Sequence, residues 1–188
     1  MSDHKFIKNY LEDFAQLIQP NKELVENLIM ARDLILKTSL KKNKVLIFGN
    51  GGSASIASHV SVDLTKNAKI KCLNFNEASL ITCFSNDYGF HHWTEKAIDF
   101  YGNDGDMLIV ISSSGKSVNM LNAVKAARNR NFSSVITLSG FSENNPLSKL
   151  GNLNLWVDSN EYNFVENIHQ IWLLMIVDLL IGKRDYSA

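Results

Sequence analysis

An α/β fold, a three-layer sandwich on a parallel sheet of about five strands, is what this sequence predicts. Three observations carry it. Short apolar runs recur along the chain, at Val45–Phe48, Met107–Ile111 and Ser134–Leu138. Stretches with apolar residues at helical spacing separate them. The first two runs end directly in loops of small residues, Gly49–Ser53 and Ser112–Ser117. Strands that alternate with helices pair in parallel and are covered on both faces, which is why such runs are apolar throughout.

The chain opens with two helices ahead of any strand. Phe6, Tyr10, Phe14, Leu17 and Ile18 define the first, over Asp3–Ile18. Pro20 interrupts, and Asn21 caps a second that runs to Leu40. This pair, residues 1–42, is expected to pack as a hairpin on the domain and on an oligomer. The strand Val45–Phe48 leads through Gly49–Ser53 into a helix ending at Lys66. Ile70–Leu73 predicts a second strand, Glu77–Phe84 a short helix, Asn86–Gly89 a turn and His91–Tyr101 a helix. After the strand Met107–Ile111 come a helix over Ser117–Asn129 and the strand Ser134–Leu138. A helical turn at Pro146–Leu150, a last strand at Asn154–Val157 and a long helix over Tyr162–Ile181 complete the series. Residues 1–188 thus predict one domain, with no internal repeat.

Composition excludes several classes of function. Nineteen basic and nineteen acidic side chains cancel, so no global field attracts nucleic acid or a membrane surface. The two cysteines, Cys72 and Cys83, lack zinc-type spacing and read as buried free thiols. The polar N-terminus does not resemble a signal peptide. The longest apolar run, from Ile171, is broken by Asp178, short of a membrane span. A soluble cytoplasmic protein is the expectation.

In open α/β sheets ligands bind beyond the carboxyl ends of the strands. Gly49–Ser53 has no bulky side chain, so backbone N–H groups can approach an anion and the next helix points its positive end at it. Ser112–Ser117 adds four hydroxyls and Lys116. Two such loops point to a phosphate; either alone reads equally as a tight turn with a helix cap. Neither carries a complete nucleotide-binding pattern. Among titratable groups, His59 and Asp63 share a helix face, as do Glu166 and His169. Such acid–histidine pairs suit proton transfer or metal binding, or a solvated helix surface. His91 and His92 read as helix-end residues and His4 as terminal. Met107, Met120, Trp156, Trp172 and Met175 read as core or interface.

Together Gly49–Ser53, Asn86–Phe90, Ser112–Ser117 with Asn119, and Ile136–Gly140 resemble the sugar isomerase (SIS) domain. More narrowly, they are similar to the phosphoheptose isomerases, which convert sedoheptulose 7-phosphate into glycero-manno-heptose 7-phosphate. The resemblance covers nearly the whole chain. It implies a cytoplasmic homotetramer with sites shared between subunits and a phosphorylated sugar as substrate. It implies contacts from Asn50, Gly51, Gly52 and Ser53, from Asn86 and Asp87, and from Ser112, Ser113, Ser114 and Ser117. His59 matches a family histidine that can bind zinc.

Three departures stand out. The family's catalytic glutamate is Asp63 here, its glutamine on the last helix is Glu166, and its catalytic histidine falls on Leu174. The expectation is a shifted site of Asp63, Glu166 and His169, with Glu166 or Asp63 moving a proton between C1 and C2 and His169 serving the oxygens. His59, Asp63, Glu166 and His169 are the candidate set for Zn²⁺, against which stands the loss of the last ligand at Leu174. The rival reading is a regulator that has lost catalysis: the family includes the DnaA initiator-associating protein, a fold relative that works through protein contacts.

Overall fold

The structure, a computed structural model, describes residues 2–185. Strands β1 (Val45–Gly49), β2 (Cys72–Leu73), β3 (Met107–Ser112), β4 (Ser134–Ser139) and β5 (Leu153–Trp156) form one sheet in the order β2-β1-β3-β4-β5. Every pairing in it is parallel. The helices are α1 (Asp3–Leu17), α2 (Lys22–Leu40), α3 (Gly52–Lys66), α4 (Ala78–Tyr88), α5 (Trp93–Tyr101), α6 (Val118–Asn129) and α7 (Tyr162–Ile181), with a 3₁₀ turn at Leu147–Lys149. The predicted α/β sandwich is the observed one.

The apolar strands explain the layering. Alternate side chains of a strand leave opposite faces of the sheet. Val45, Ile47, Met107, Ile109 and Ile136 pack under α2, α3 and α7. Leu46, Phe48, Leu108, Val110 and Val135 pack under α5 and α6. From β1 the chain steps outward to β2, then returns past β1 to start β3. The helix after β1, α3, covers one face and the helix after β3, α6, covers the other. Between β1 and β3 the order therefore reverses, and the chain parts above their carboxyl ends.

Several local expectations change. The second strand shrinks to Cys72–Leu73 at the sheet edge. Asn86, Asp87 and Tyr88 form the last turn of α4, because the break comes one residue later, at Gly89 with φ 86°. The helix expected from His91 begins at Trp93. Cys72 is buried as expected but Cys83 is exposed on α4, where a helix stripe turns it outward. The long helix α7 is also more apolar than its Asp178 suggested. The helix is 20 residues long and an 18-residue window of it reaches a mean hydropathy of 1.6, enough by length and composition to cross a membrane. Packing accounts for much of that: Phe164, Ile168, Trp172 and Ile176 are buried against α2, α3 and the sheet.

One buried charge belongs to the scaffold. Asp106, 1% exposed, accepts from Lys44 Nζ at 2.5 Å and from the backbone N–H groups of Lys44 and Asn103. It ties β1 to β3 at their amino ends, opposite the edge where the loops meet.

Candidate active site

Gly49 lies opposite Ile111 in the β1–β3 register, so the two small-residue loops leave the sheet side by side. They enclose a cleft of about 280 Å³ lined by Asn50, Gly51, Gly52, Ser53, Ile111, Ser112, Ser113, Ser114, Ser117, Tyr162 and Glu166. A larger hollow of about 370 Å³ lies between the α1–α2 turn and β5. The smaller cleft is the one at the chain reversal, where helix starts and strand ends converge, and it holds the candidate chemistry.

The two helices that follow these loops lack a side-chain cap. Gly51 precedes α3 with φ 54° and ψ −124°, a conformation suited to glycine, and nothing caps the helix. Ser117 precedes α6 with its hydroxyl turned instead to Ser112 Oγ at 3.3 Å. The first-turn amides are therefore available to an anion, which disfavours the helix-cap reading of these loops. The Ser113 hydroxyl is buried and has no partner among the described residues. A buried hydroxyl left unpaired is costly, and a bound oxyanion would satisfy it.

The serine loop is propped from beneath. Gly140 N–H donates to Ser113 O at 2.8 Å and Leu147 N–H to Gly115 O at 3.1 Å. Asn145, 1% exposed, donates to Ser139 Oγ and Ser142 O. A Cβ on Gly115 would stand 1.9 Å from Asn145 Oδ1, so only glycine lets the loop close on that support. The two loops are joined by a reciprocal amide pair: Asn50 Nδ2 donates to Asn119 Oδ1 at 3.0 Å and Asn119 Nδ2 to Asn50 Oδ1 at 2.9 Å. Asn119→Leu leaves a part-buried amide unpaired, and urea unfolding is expected to show a loss of about 2 kcal/mol. An unchanged midpoint would mean that the pair does not fasten the loops.

Glu166 is the carboxylate of the cleft. A Cβ on Gly52 would lie 2.2 Å from Glu166 Oε2, so the carboxylate rests directly on the glycine backbone. Burial raises its pKa above the ordinary carboxylate value. One turn further along α7, Gln170 Nε2 lies 3.3 Å from His59 Nδ1, and His59 Nε2 lies 3.4 Å from Asp63 Oδ2. Glu166, Gln170 and Leu174 follow one another along α7 at i, i+4 and i+8, facing the α3 side that carries His59 and Asp63.

Other expected site residues fall elsewhere. His169 is wholly buried on the core side of α7, with Nε2 3.1 Å from Ser139 O. It cannot meet a substrate there, so its expected role at the oxygens is corrected. Asn86 and Asp87 are exposed on α4, bonded to each other at 2.9 Å, and do not line the cleft. Lys116 also faces solvent. Tyr162, which lines the cleft from the start of α7, and Asn145 under the serine loop were missed. A lone tyrosine at a helix start carries no sequence signal, whereas the Asn144–Asn145–Pro146 turn could have marked a loop support.

The model of the SIS domain matches residues 9–140. That span holds both loops and Asn119, and it ends before α7. The chain belongs to the SIS domain family. Its relatives include the phosphoheptose isomerase of Neisseria meningitidis, 36% identical over 137 residues, which are 68% of this chain and 69% of that protein. The phosphoheptose isomerase of Aliarcobacter butzleri is 32% identical over 189 aligned residues, covering 96% and 97%. Among solved structures, phosphoheptose isomerase GmhA from Neisseria gonorrhoeae superposes with a TM-score of 0.88 at 28% identity, covering 95% of this chain and 99% of that one. A phosphoheptose isomerase from Francisella tularensis gives 0.87 at 27% identity, covering 97% and 100%.

The zinc that the SIS resemblance implies does not fit this donor set. Among the described residues no three His, Cys, Asp or Glu side chains converge. His59 and Asp63 stand together, but Glu166 rests on Gly52, His169 is sealed in the core and Leu174 has no donor atom. The expected set of four is therefore dispersed.

Proposed function

We propose that this chain is a sugar-phosphate isomerase acting between sedoheptulose 7-phosphate and D-glycero-D-manno-heptose 7-phosphate. The observation that carries the proposal is a desolvated carboxylate, Glu166, in one cleft with a buried unpaired hydroxyl and two uncapped helix starts. The names of the relatives support the same reading.

In this mechanism the hydroxyls of Ser112–Ser117 and the first amides of α6 hold the phosphate, while Asn50–Ser53 orient the sugar. Glu166 removes a proton from C1 of the ketose as the C2 carbonyl oxygen is protonated, giving an enediol. It returns the proton to C2 as the C1 hydroxyl loses its own proton, which leaves an aldose. His59, one helical turn from Glu166 by way of Gln170, exchanges protons with the two oxygens, with Asp63 behind it. Residues 1–188 act as one unit within a homotetramer. Exposed Phe6, Ile7 and Leu11 on α1 and Ile171, Met175 and Leu179 on α7 supply apolar faces for assembly. A neighbouring subunit would bring Asn86 and Asp87 to a shared site.

Deuterium exchange at C1 and C2 of sedoheptulose 7-phosphate, followed by NMR, tests the reaction. Ser113→Ala tests the phosphate assignment. The hydroxyl has no partner to lose, so stability of the free protein is expected to hold. A charged hydrogen bond contributes about 1.5–3 kcal/mol, so affinity is expected to fall at least tenfold. Equal affinity for both proteins would remove Ser113 from the site. Leu174 favours a second reading, a phosphosugar-binding regulator, and binding without any exchange would select it.

A further inference from the structure

We infer that the seam between α3 and α7 is a metal-free proton relay, in which His59 is hydrogen-bonded by Gln170 at one ring nitrogen and faces the Asp63 carboxylate with the other. The inference deepens the isomerase reading, but its central observations do not depend on turnover.

The geometry assigns the protons. Asp63 offers only acceptor oxygens, and its Oδ1 already accepts from Asn67 Nδ2 at 3.1 Å. Its Oδ2, 3.4 Å from His59 Nε2, therefore calls for the imidazole proton on Nε2. Nδ1 is then an acceptor, and Gln170 meets it with its Nε2 amide at 3.3 Å. The Gln170 hydrogen bond and the Asp63 contact favour the same tautomer of His59, with the proton on Nε2. In the relay the imidazole takes at Nδ1 the proton that the C1 hydroxyl loses and gives it to the C2 oxygen, while Nε2 keeps its own proton facing Asp63 and Gln170 turns its carbonyl to the transient Nδ1–H.

A divalent cation would have to undo this arrangement. Zinc takes three or four donors, with any histidine bound through a bare nitrogen. Coordination at Nε2 would move the proton to Nδ1 and turn Gln170, leaving one imidazole and one carboxylate as ligands. The next α7 residue on this face is Leu174, whose side chain packs partly buried against the core. It puts methyl groups where a third donor would stand. Sequence and structure thus agree on two donors and a hydrocarbon.

The test begins with protein purified without chelator from zinc-supplemented cells. Elemental analysis is expected to find zinc far below one atom per chain. Calorimetric titration with Zn²⁺ alone is expected to show no tight stoichiometric phase. Asp63→Glu with Leu174→His restores donors, and zinc affinity is expected to rise on the order of 100-fold or more, beyond what even an outer-shell partner commands. If that variant misfolds, ¹⁵N NMR of the wild-type imidazole stands alone, with the Nε2–H tautomer expected. Stoichiometric zinc in the wild type that His59→Ala releases would overturn the inference, as would an Nδ1–H tautomer. Failure of C1/C2 exchange with these results intact would remove the isomerase reading and leave the metal-free seam.

Discussion

Replacing Glu166 with glutamine is expected to slow isomerisation of sedoheptulose 7-phosphate by roughly 10²- to 10⁴-fold, the range a positioned general base contributes. Glutamine keeps the shape of the side chain over Gly52, so the cleft stays intact and substrate affinity should change little. The loss should fall on kcat and not on KM, the signature of a group needed in the transition state. The pH profile supplies a second readout. A base works only when deprotonated, and burial raises the pKa of Glu166. Activity should therefore fall, as pH drops, at a higher pH than an ordinary carboxylate would give. Turnover unchanged in Glu166→Gln would transfer the base to Asp63. Asp63 stands beside His59 but does not line the cleft.

How far such roles can be read from the sequence depends on what sets each residue's surroundings. The loops were legible as a pair, because two small-residue loops each follow a wholly apolar strand, where one alone would read as a tight turn. The sheet was legible because both faces of β1 and β3 are buried, which leaves a continuous apolar signature. Helix α7 was found from end to end, yet one of its key side chains was misplaced. Glu166 and His169 differ by only about 60° around the helix axis. On a helix with a narrow apolar stripe that angle would matter little. Here α7 is apolar around much of its circumference, and the boundary between core and cleft falls between those two residues. Where that boundary lies is decided by how α7 packs against α3 and the sheet, which spacing within α7 does not contain. The turn expected at Asn86 and Asp87 differs for another reason: their turn-forming composition yields to the helix that Gly89 ends.

Buried in this way, His169 makes the fold itself sensitive to acid. Its Nε2–H donates to Ser139 O, and Nδ1 is bare, buried and without a partner among the described residues. Burial lowers its pKa to about 4, the Ser139 carbonyl opposing that shift only in part. The unfolded chain, with an ordinary histidine near 6.5, binds a proton first as pH falls. Between these values the unfolded state carries more protons, so stability declines with falling pH. The contribution is fully present above about 6.5 and gone near 4, a loss of about 3 kcal/mol at about 1.4 kcal/mol per pH unit. Carboxylates titrate over part of that range, so wild type must be compared with His169→Gln, whose amide can still donate to Ser139 O without titrating. Urea unfolding across pH 7 to 4 is expected to show a slope in the wild type that the variant lacks; parallel curves would mean that His169 is not held neutral. The consequence reaches the cleft through one peptide unit. Ser139 O accepts from His169 and from the Val157 N–H, and the next N–H, of Gly140, holds Ser113 O. A phenylalanine at 169 would fill the core but leave Ser139 O with the Val157 N–H as its one donor, and the serine loop should then bind phosphosugar more weakly even where the protein remains folded.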